Sequence, residues 1–303
     1  MKKRALKRIL RRGKRLLGFW VGFSHAIDRQ KLLVRGRNGR VGNLTSIPVN
    51  YDDIDFVVVT KNSGRTLQAT IDNVRTLYPE SCIIIIDGGS RDDTIKIARE
   101  SGCRVLTGSW NVGAARDLSL RVTEKRFLAH LDSDVQLCSG WLQLVKPYFE
   151  SPDVAAVSGI TLYGVQSDEA LLSYCLESGL IGVAAFTNTL LDREKILKVG
   201  GIGHVQWGED WEVYCKVIRN GYRWNLACDA YAYHRRYFIQ QFRAYYNWSK
   251  WWRRTRVTSL HMMCGELAKS PFVGLLLGVK LHWKLTFYHP LLRLAALIGW
   301  MEG

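Results

Sequence analysis

The sequence lacks the features that mark several common classes of protein. Its seven cysteines include no C-x-x-C pair and their number is odd. This argues against a disulfide framework and predicts reduced thiols, most of them in the core of a cytosolic protein. The first 15 residues are too densely charged for a secretory signal, and no apolar stretch long enough to span a bilayer unaided follows them. We therefore expect a protein that is not secreted.

Acidic residues are scarce at both ends of the chain. Residues 1–40 hold 14 Lys/Arg against the single acid Asp28, and residues 235–303 hold 11 against 2, so residues 41–234 carry −6 of a total of +16. A nucleic-acid enzyme more often spreads its basic surface along the working cleft. An acidic middle between basic ends is instead typical of a metal-using core held to an anionic membrane. We expect one core domain with two appendages and no nucleic-acid partner.

Residues 1–45 form the first predicted unit, a basic amphipathic helix followed by a linker. Lysines and arginines surround residues that recur at helical spacing, namely Leu6, Ile9, Leu10, Gly13, Leu16, Leu17 and Trp20. Such a helix can lie among lipid headgroups, each basic residue contributing about 1 kcal/mol on anionic lipid. The alternative is a disordered basic tail, or one that binds RNA without specificity.

Residues 236–303 form the last predicted unit. From Tyr237 to Trp252 aromatic residues alternate with basic ones, a mixture favoured at a membrane interface. The apolar segments Phe272–Val279 and Leu291–Trp300 are short, and Lys280, His282 and Lys284 lie between them. This pattern predicts interfacial or re-entrant helices. A helical hairpin that dips into the bilayer and a helical pair packed on the catalytic body are the alternatives.

The middle unit, residues 50–235, alternates strand and helix. Apolar runs at Ile54–Thr60, Cys82–Ile86, Arg104–Thr107 and Phe127–Leu131 predict four strands, and helical spacing over Thr66–Leu77 predicts a helix between the first two. Strands that are apolar on both faces belong to a parallel sheet covered by helices. The fold class is therefore α/β, with a mostly parallel central sheet and ligands beyond the carboxyl ends of its strands.

Acidic residues follow the predicted strands. Asp87 follows the second strand, Asp132-Ser133-Asp134 follows the fourth, and Gly208-Glu209-Asp210-Trp211 opens a later helix. Because the carboxyl ends of parallel strands share one edge, we expect the first two sites to meet in one crevice. Each motif alone is weak, since Asp87 also fits a helix N-cap or a turn.

The ordered series of motifs resembles glycosyltransferase family 2 over roughly residues 52–235. The matching segments are Val59-Thr60-Lys61-Asn62, Tyr78-Pro79, Ile83 to Thr94, Asn111 to Asp117, Asp132-Ser133-Asp134, Gly200-Gly201 and Gly208 to Glu212. The resemblance implies a GT-A fold that transfers a sugar from a nucleoside-diphosphate sugar with inversion. The sequence departs from many relatives in carrying Gly88 where they have a second acid and Asp117 where they have Asn.

The resemblance also implies roles for single residues. Asp210 would be the base that activates the acceptor, with Glu209 beside it. Asp134, Asp132 and His234 would face the metal. The donor would be bound by Thr60, Asn62, Asp87, Asn111, Arg116 and Asp132. Two of these residues have simpler interpretations, because Asp210 is also a favourable carboxylate at a helix N-terminus and a lone histidine is more often structural.

Elementary chemistry agrees with the implied roles. Mn²⁺ or Mg²⁺ held by carboxylate oxygens stabilises the charge that grows on a leaving diphosphate. Inversion requires the acceptor hydroxyl on the opposite face, within reach of a carboxylate base. Acceptor-binding loops are expected over residues 159–178 and 200–208.

The basic ends predict a membrane-associated acceptor, which would be a lipid-linked glycan, a glycolipid or a polyprenyl phosphate. The protein would then lie on the cytoplasmic face of the membrane, bound peripherally to its anionic surface. Two other classes remain open at this point. One is a nucleotidyltransferase of similar sheet topology, although Thr60 to Arg65 is a poor match to its Gly-rich loop. The other is a non-catalytic, membrane-attached nucleotide-sugar binder.

Overall fold

The computed structural model describes residues 50–163, 185–235, 238–256, 258–280 and 282–303. The predicted helix of residues 1–45 and most of the predicted acceptor loop of residues 159–178 lie outside the described residues. Eight strands form one sheet: β1 (Ile54–Thr60), β2 (Cys82–Asp87), β3 (Arg104–Thr107), β4 (Phe127–Asp132), β5 (Val135–Leu137), β6 (Val154–Tyr163), β7 (Asn188–Asp192) and β8 (Arg223–His234). Their order across the sheet is β3-β2-β1-β4-β7-β6-β8-β5.

The helices fall into two groups. Six accompany the sheet: α1 (Leu67–Leu77), α2 (Thr94–Glu100), α3 (Val112–Val122), α4 (Trp141–Val145), α5 (Arg193–Lys198) and α6 (Glu209–Arg219). Three follow it: α7 (Phe238–Arg254), α8 (Leu260–Lys280) and α9 (Leu285–Glu302). The helix predicted over Thr66–Leu77 is α1, which begins one residue later.

The first four strands are parallel, as their composition predicts. β1 pairs with both β2 and β4, and β2 pairs with β3. Successive side chains of β1 enter different cores, because Phe56 and Val58 pack in the cluster on one face of the sheet and Val57 in the cluster on the other. A strand buried on both faces has no polar side, so its near-continuous apolar sequence follows from its position in the sheet.

The second half of the sheet mixes directions. β7 is antiparallel to both β4 and β6, β6 is parallel to β8, and β5 is antiparallel to β8. Four of these seven pairings are parallel, so the prediction of an α/β fold with a mostly parallel sheet is confirmed. The antiparallel pairing places β7, from a distant part of the sequence, next to β4. The acidic motif Asp132-Ser133-Asp134 begins at the end of β4.

The last three helices have an apolar core of their own. Tyr245, Met263, Leu277, Leu285, Leu292 and Ala296 are its buried members. Glycines allow close approach, since a Cβ at Gly278 would overlap Thr286 Oγ1 and one at Gly299 would overlap the carbonyl of Tyr246. α7, α8 and α9 therefore form a packed unit, which we call the helical unit.

The cysteine prediction needs a correction. Among the described residues no disulfide forms, in agreement with reduced thiols, but Cys138 is the one thiol that is buried. Cys82, Cys228 and Cys264 are exposed, and Cys103 and Cys215 are half-buried. The expectation that most cysteines fill the core is wrong, because the sheet interior is already filled by isoleucine, valine and leucine side chains.

Candidate active site

Three side chains at the carboxyl edge of the sheet converge on one point. One ligand atom from each of Asp132, Asp134 and His234 lies within 4.8 Å of the others. The contact between His234 Nε2 and Asp134 Oδ1 is 2.7 Å long, and His234 is buried while both carboxylates are partly exposed. Two carboxylates and an imidazole, open on one side, have the composition and spacing of a site for a divalent cation.

Strand register builds this cluster from residues about 100 positions apart. β4 ends at Asp132, and the chain turns through Ser133 and Asp134 into β5. β5 pairs with β8 so that Val135 faces His234, and Arg235 N donates to Asp134 O at 2.8 Å. His234 therefore owes its place in the cluster to the antiparallel β5–β8 pair.

A buried arginine joins the cluster to the acidic start of α6. Arg116 Nη2 lies 2.7 Å from Asp132 Oδ1, and its Nη1 lies 3.6 Å from Glu209 Oε1. The guanidinium lies over the ring of Phe186, 4.6 Å from the ring centroid. Burial lowers the pKa of the neighbouring His130 to about 3, assisted by the charge of Arg116, so this imidazole stays neutral. Arg116 thus supplies the positive charge between the two acidic groups.

Burial raises the pKa of Glu209 to about 7; the charge of Arg116 opposes this and that of Asp210 reinforces it. Burial also raises the pKa of Asp210, again against the charge of Arg116. Neighbouring carboxylates of raised pKa can accept a proton near neutral pH, which is the property that a general base requires.

The start of α6 fixes these two carboxylates. Gly208 precedes the helix with φ +79°, a left-handed conformation that glycine adopts without strain. Asp210 Oδ1 accepts from the backbone N–H of Trp211 at 2.7 Å. Negative side chains are stabilised at a helix N-terminus, so the simpler interpretation of Asp210 is also satisfied and does not conflict with a catalytic role.

The loop before α6 is held by the first turns of α3. Asn111 caps α3 by accepting from Ala114 N at 2.8 Å and donates from Nδ2 to His204 O at 2.9 Å. Asp117 accepts from Ile202 N at 2.9 Å and lies 3.2 Å from His204 Nε2. Burial acts to raise the pKa of Asp117, but these hydrogen bonds and that from Arg121 lower it below its usual range.

The loops after β1 and β2 are tied to each other. Asn62, at φ 54°, accepts from Arg91 N at 2.9 Å and its own N–H donates to Ser90 Oγ at 2.7 Å. Asp87 is fully buried and accepts from the backbone N–H groups of Gly89 and Ser90 at 2.9 and 2.8 Å. Both side chains organise turns at the predicted crevice, and their donor-binding roles remain predictions.

Thr60 ends β1 at the same edge, and its register partner is Asp87. Its hydroxyl is buried and has no hydrogen-bond partner among the described residues. Buried hydroxyls in folded proteins are nearly always paired, so an unpaired one at this edge is a position where a ligand can bind. The predicted site residues thus lie at the carboxyl edge of the sheet, in the first turns of α3 or at the start of α6.

Comparison with known proteins gave both a family and structural neighbours. Residues 55–205 match the model of glycosyl transferase family 2. A mannosyltransferase from Pyrobaculum calidifontis, solved with GDP-Man and Mn²⁺, aligns over 94% of this chain and 99% of its own, at 15% identity and a TM-score of 0.59. GalNAc-T7, solved with UDP, GalNAc and Mn²⁺, aligns over 60% of this chain and 44% of its own, at 15% identity and a TM-score of 0.49. A search of curated protein sequences gave no match.

The sheet order and the likeness to the mannosyltransferase define the fold as GT-A. The chain belongs to glycosyl transferase family 2, whose domain covers residues 55–205. The family prediction is confirmed. The match ends before Glu209, so it does not reach the two carboxylates of α6, and their assignment depends on the geometry described above.

Sequence reasoning missed three contributors to the site. Phe186 supports the Arg116 guanidinium, Ser63 Oγ lies 2.7 Å from Ser133 Oγ, and Trp251 of α7 packs against Gly208. A local motif marks none of these residues, because each contact joins segments 43 to 70 positions apart. Asp117 was noted in the sequence because many relatives have Asn at this position. That difference did not predict its contacts with the loop before α6.

Proposed function

We propose that this protein is an inverting, metal-dependent glycosyltransferase that moves a sugar from a nucleoside-diphosphate sugar to a membrane-associated acceptor. The observation that carries the proposal is the juxtaposition of Asp132, Asp134 and His234, linked through Arg116 to Glu209, at the carboxyl edge of a family 2 domain. The cluster can hold a cation and a diphosphate, and the acidic pair can activate an acceptor.

The residues of the cluster fit Mn²⁺ or Mg²⁺. Carboxylate oxygens suit both ions, and Asp132 and Asp134 are partly exposed, which leaves positions for phosphate oxygens. When bound, such an ion neutralises charge on the departing diphosphate. Arg116 is a buried protein cation beside the cluster, and the unpaired Thr60 hydroxyl lies at the same edge, where it can accept a hydrogen bond from the nucleoside-diphosphate sugar.

The acidic pair supplies the proton acceptor. In the transfer step the acceptor hydroxyl oxygen bonds to the anomeric carbon, the bond from that carbon to the diphosphate oxygen breaks, and the hydroxyl proton passes to a carboxylate. Asp210 is the proposed base. Glu209, which faces Arg116, holds that guanidinium between the two halves of the site.

A membrane-associated acceptor is supported by the surface of the helical unit. α9 exposes Phe287, Leu291, Leu294, Ile298 and Met301 at spacings of three and four, and α8 exposes Phe272, Leu275 and Val279. Within the described residues, α8 alone has the length and composition to cross a membrane, over Leu260–Val279, and 22% of that window is buried. Arg253, Arg254 and Lys284 of the helical unit and its connections are also exposed, and exposed basic and apolar side chains together suit anionic lipid. We propose peripheral attachment at the cytoplasmic face.

A donor panel tests the proposed function. The purified protein is incubated with GDP- and UDP-sugars and with membrane lipid extract, once with Mn²⁺ and once with excess chelator. We expect release of the nucleoside diphosphate from one donor, abolished by the chelator. Donor binding without turnover would indicate a non-catalytic binder, and release of pyrophosphate from a nucleoside triphosphate would indicate a nucleotidyltransferase.

The acceptor class can be tested at Asp210. If the acceptor is a sugar hydroxyl, Asp210→Asn should lower kcat by about 10²- to 10⁴-fold because proton removal is lost. If the acceptor is an already ionised lipid phosphate, the variant should keep most of its activity. Parallel assays with polyprenyl phosphate and with a glycolipid separate the two cases.

A further inference from the structure

The helical unit reaches the catalytic loop at one aromatic side chain. A Cβ added at Gly208 would lie 2.5 Å from Cζ2 and Nε1 of Trp251, so the indole of Trp251 rests directly against the glycine backbone. Gly208 precedes Glu209 and Asp210 and has φ +79°. Two independent constraints, the left-handed backbone and the indole, therefore both require glycine at this position.

Trp251 differs from its aromatic neighbours on α7. Trp248 and Trp252 pack against the apolar core of the helical unit, whereas the close contact of Trp251 is with Gly208 in the catalytic body. Trp251 thus connects the two parts of the molecule at Gly208, the residue that precedes α6.

The end of α7, which carries Trp251, is held in place by contacts with α9. Arg253 Nη1 donates to the carbonyls of Trp300 and Met301 at 3.0 and 2.6 Å, and the guanidinium lies 4.9 Å from the ring centroid of Trp300. A Cβ at Gly299 would overlap the carbonyl of Tyr246, so the backbones of α7 and α9 are also in contact at Tyr246. The end of α7 is therefore anchored, and the indole is presented from a rigid surface.

We propose that Trp251 is a positioning residue, which acts through Gly208 to hold Glu209 and Asp210 in their working orientation. The proposal rests on the proposed function and deepens it by making the helical unit part of the catalytic machinery as well as a membrane contact. Catalytic groups displaced by about 1 Å lose on the order of 10²-fold in rate, so a loosened turn at Gly208 should be visible in kcat.

Kinetics of three variants test this role. We expect Trp251→Ala to lower kcat by about 10- to 100-fold while the donor KM stays within about twofold, because the close contact of Trp251 is with the backbone of Gly208. Trp251→Phe should recover most of the loss, since it keeps an aromatic ring against Gly208. Trp252→Ala is the matched control on the same helix and should retain kcat. An equal loss in Trp252→Ala, or a raised acceptor KM with unchanged kcat in Trp251→Ala, would overturn the proposal.

Hydrogen exchange tests the same role without turnover. Trp251→Ala should speed amide exchange in the peptide covering residues 205–214 and leave β1 and β2 unchanged, while Trp252→Ala should change exchange in α8 and α9 instead. Unchanged exchange over 205–214 would refute positioning even if a donor is never found. If no donor is turned over but exchange responds as expected, the proposed function fails and the structural coupling stands.

A double-mutant cycle isolates the contact itself. Gly208→Ala adds a methyl group where the indole lies and forces an L-residue into a left-handed conformation. Combining it with Trp251→Ala removes the overlap but not the backbone strain. The double variant should therefore have a higher Tm than Gly208→Ala alone, and additive losses would contradict the contact.

Discussion

The catalytic body and the helical unit use apolar residues in opposite ways. In the body, β1 and β2 bury isoleucine, valine and phenylalanine on both faces, and the apolar surface is covered by the chain's own helices. In the helical unit a smaller core is buried, while Phe272, Val279 and Phe287 are 66%, 81% and 61% exposed. Monomeric soluble proteins rarely expose contiguous apolar surface on that scale. The exposed apolar face of the helical unit supports the proposed contact with a membrane.

Polar residues show the same contrast. The body buries several charged side chains, among them Arg116, which pairs with Asp132 and Glu209 at the carboxyl edge of the sheet. In the helical unit, ion pairs such as Lys250 with Glu302 lie at the surface. Buried ion pairs cost desolvation free energy and are seldom kept for stability alone. This contrast supports the proposal that the chemistry takes place in the body and that the helices provide the attachment, with Trp251 as the link.

The largest effect is expected at the metal cluster. Asp134→Asn should lower kcat/KM for the donor by about 10³-fold, because the carboxylate that would hold the cation is lost. Asp229→Asn is the matched control, since Asp229 is an exposed carboxylate on β8, the strand that carries His234. Steady-state kinetics with Mn²⁺ measures both variants. Equal activity of the Asp134→Asn and Asp229→Asn variants would show that the metal cluster takes no part in catalysis.

A smaller effect is expected at the exposed face of α9. Replacing Leu291, Leu294 and Ile298 by Asn should weaken sedimentation with anionic vesicles by about 10²-fold, at roughly 1 kcal/mol for each side chain that enters lipid. Activity on a water-soluble acceptor should persist. Tyr148→Asn, an exposed aromatic on the body, is the control. Unchanged vesicle binding of the triple variant would contradict the proposal that the exposed face of α9 contacts lipid.

The third effect is a pH dependence of stability. The pKa of Glu209 in the folded protein is raised to about 7 from an ordinary value of 4.5, so the native state binds more protons than the unfolded state between these values. Lowering the pH from 7.5 to 5.5 should therefore stabilise the wild type by about 1 to 2 kcal/mol relative to Glu209→Gln. Chemical denaturation at both pH values measures the difference. A Glu209→Gln variant with the same pH slope as the wild type would contradict the raised pKa of Glu209.

The smallest effect is expected at Arg121. Its guanidinium is mostly exposed and pairs with the buried Asp117 at 3.2 Å, so Arg121→Ala should change the free energy of unfolding by less than about 1 kcal/mol. Asp117→Ala should cost about 1 to 3 kcal/mol, because it leaves the N–H of Ile202 without its acceptor. Denaturant titration of the pair tests whether burial, and not charge pairing, holds the loop before α6. A larger loss in the arginine variant would reverse that conclusion.

The fold was predictable where local pattern is strong. The bounds of β1 and β3 agree with the predicted strands, and α6 ends at Arg219, two residues before Gly221, whose φ is +81°. These features depend on apolar runs and turn residues, which act within a few positions. The partners of β7 and β8 were not predictable, because no local pattern specifies which distant strand lies alongside.

The candidate site divides in the same way. Composition and order indicated Asp132, Asp134, Arg116, Glu209 and Asp210 as chemistry-bearing residues. The contact of Arg116 with both Asp132 and Glu209, and that of Trp251 with Gly208, depend on packing between segments 16 to 93 positions apart. The chemistry of a side chain can be read from the sequence, whereas the distances between side chains depend on how the sheet and the helices pack.

By itself the sequence determined the class of fold, the family and the charged ends, since strand burial, motif order and net charge are local or additive properties. The tertiary structure decided that His234 joins two carboxylates of β4 and its following turn, that one arginine serves both halves of the site, and that α7 touches the start of α6. The physical reason is that strand register and helix packing are set by long-range burial of apolar surface, which a single segment does not encode.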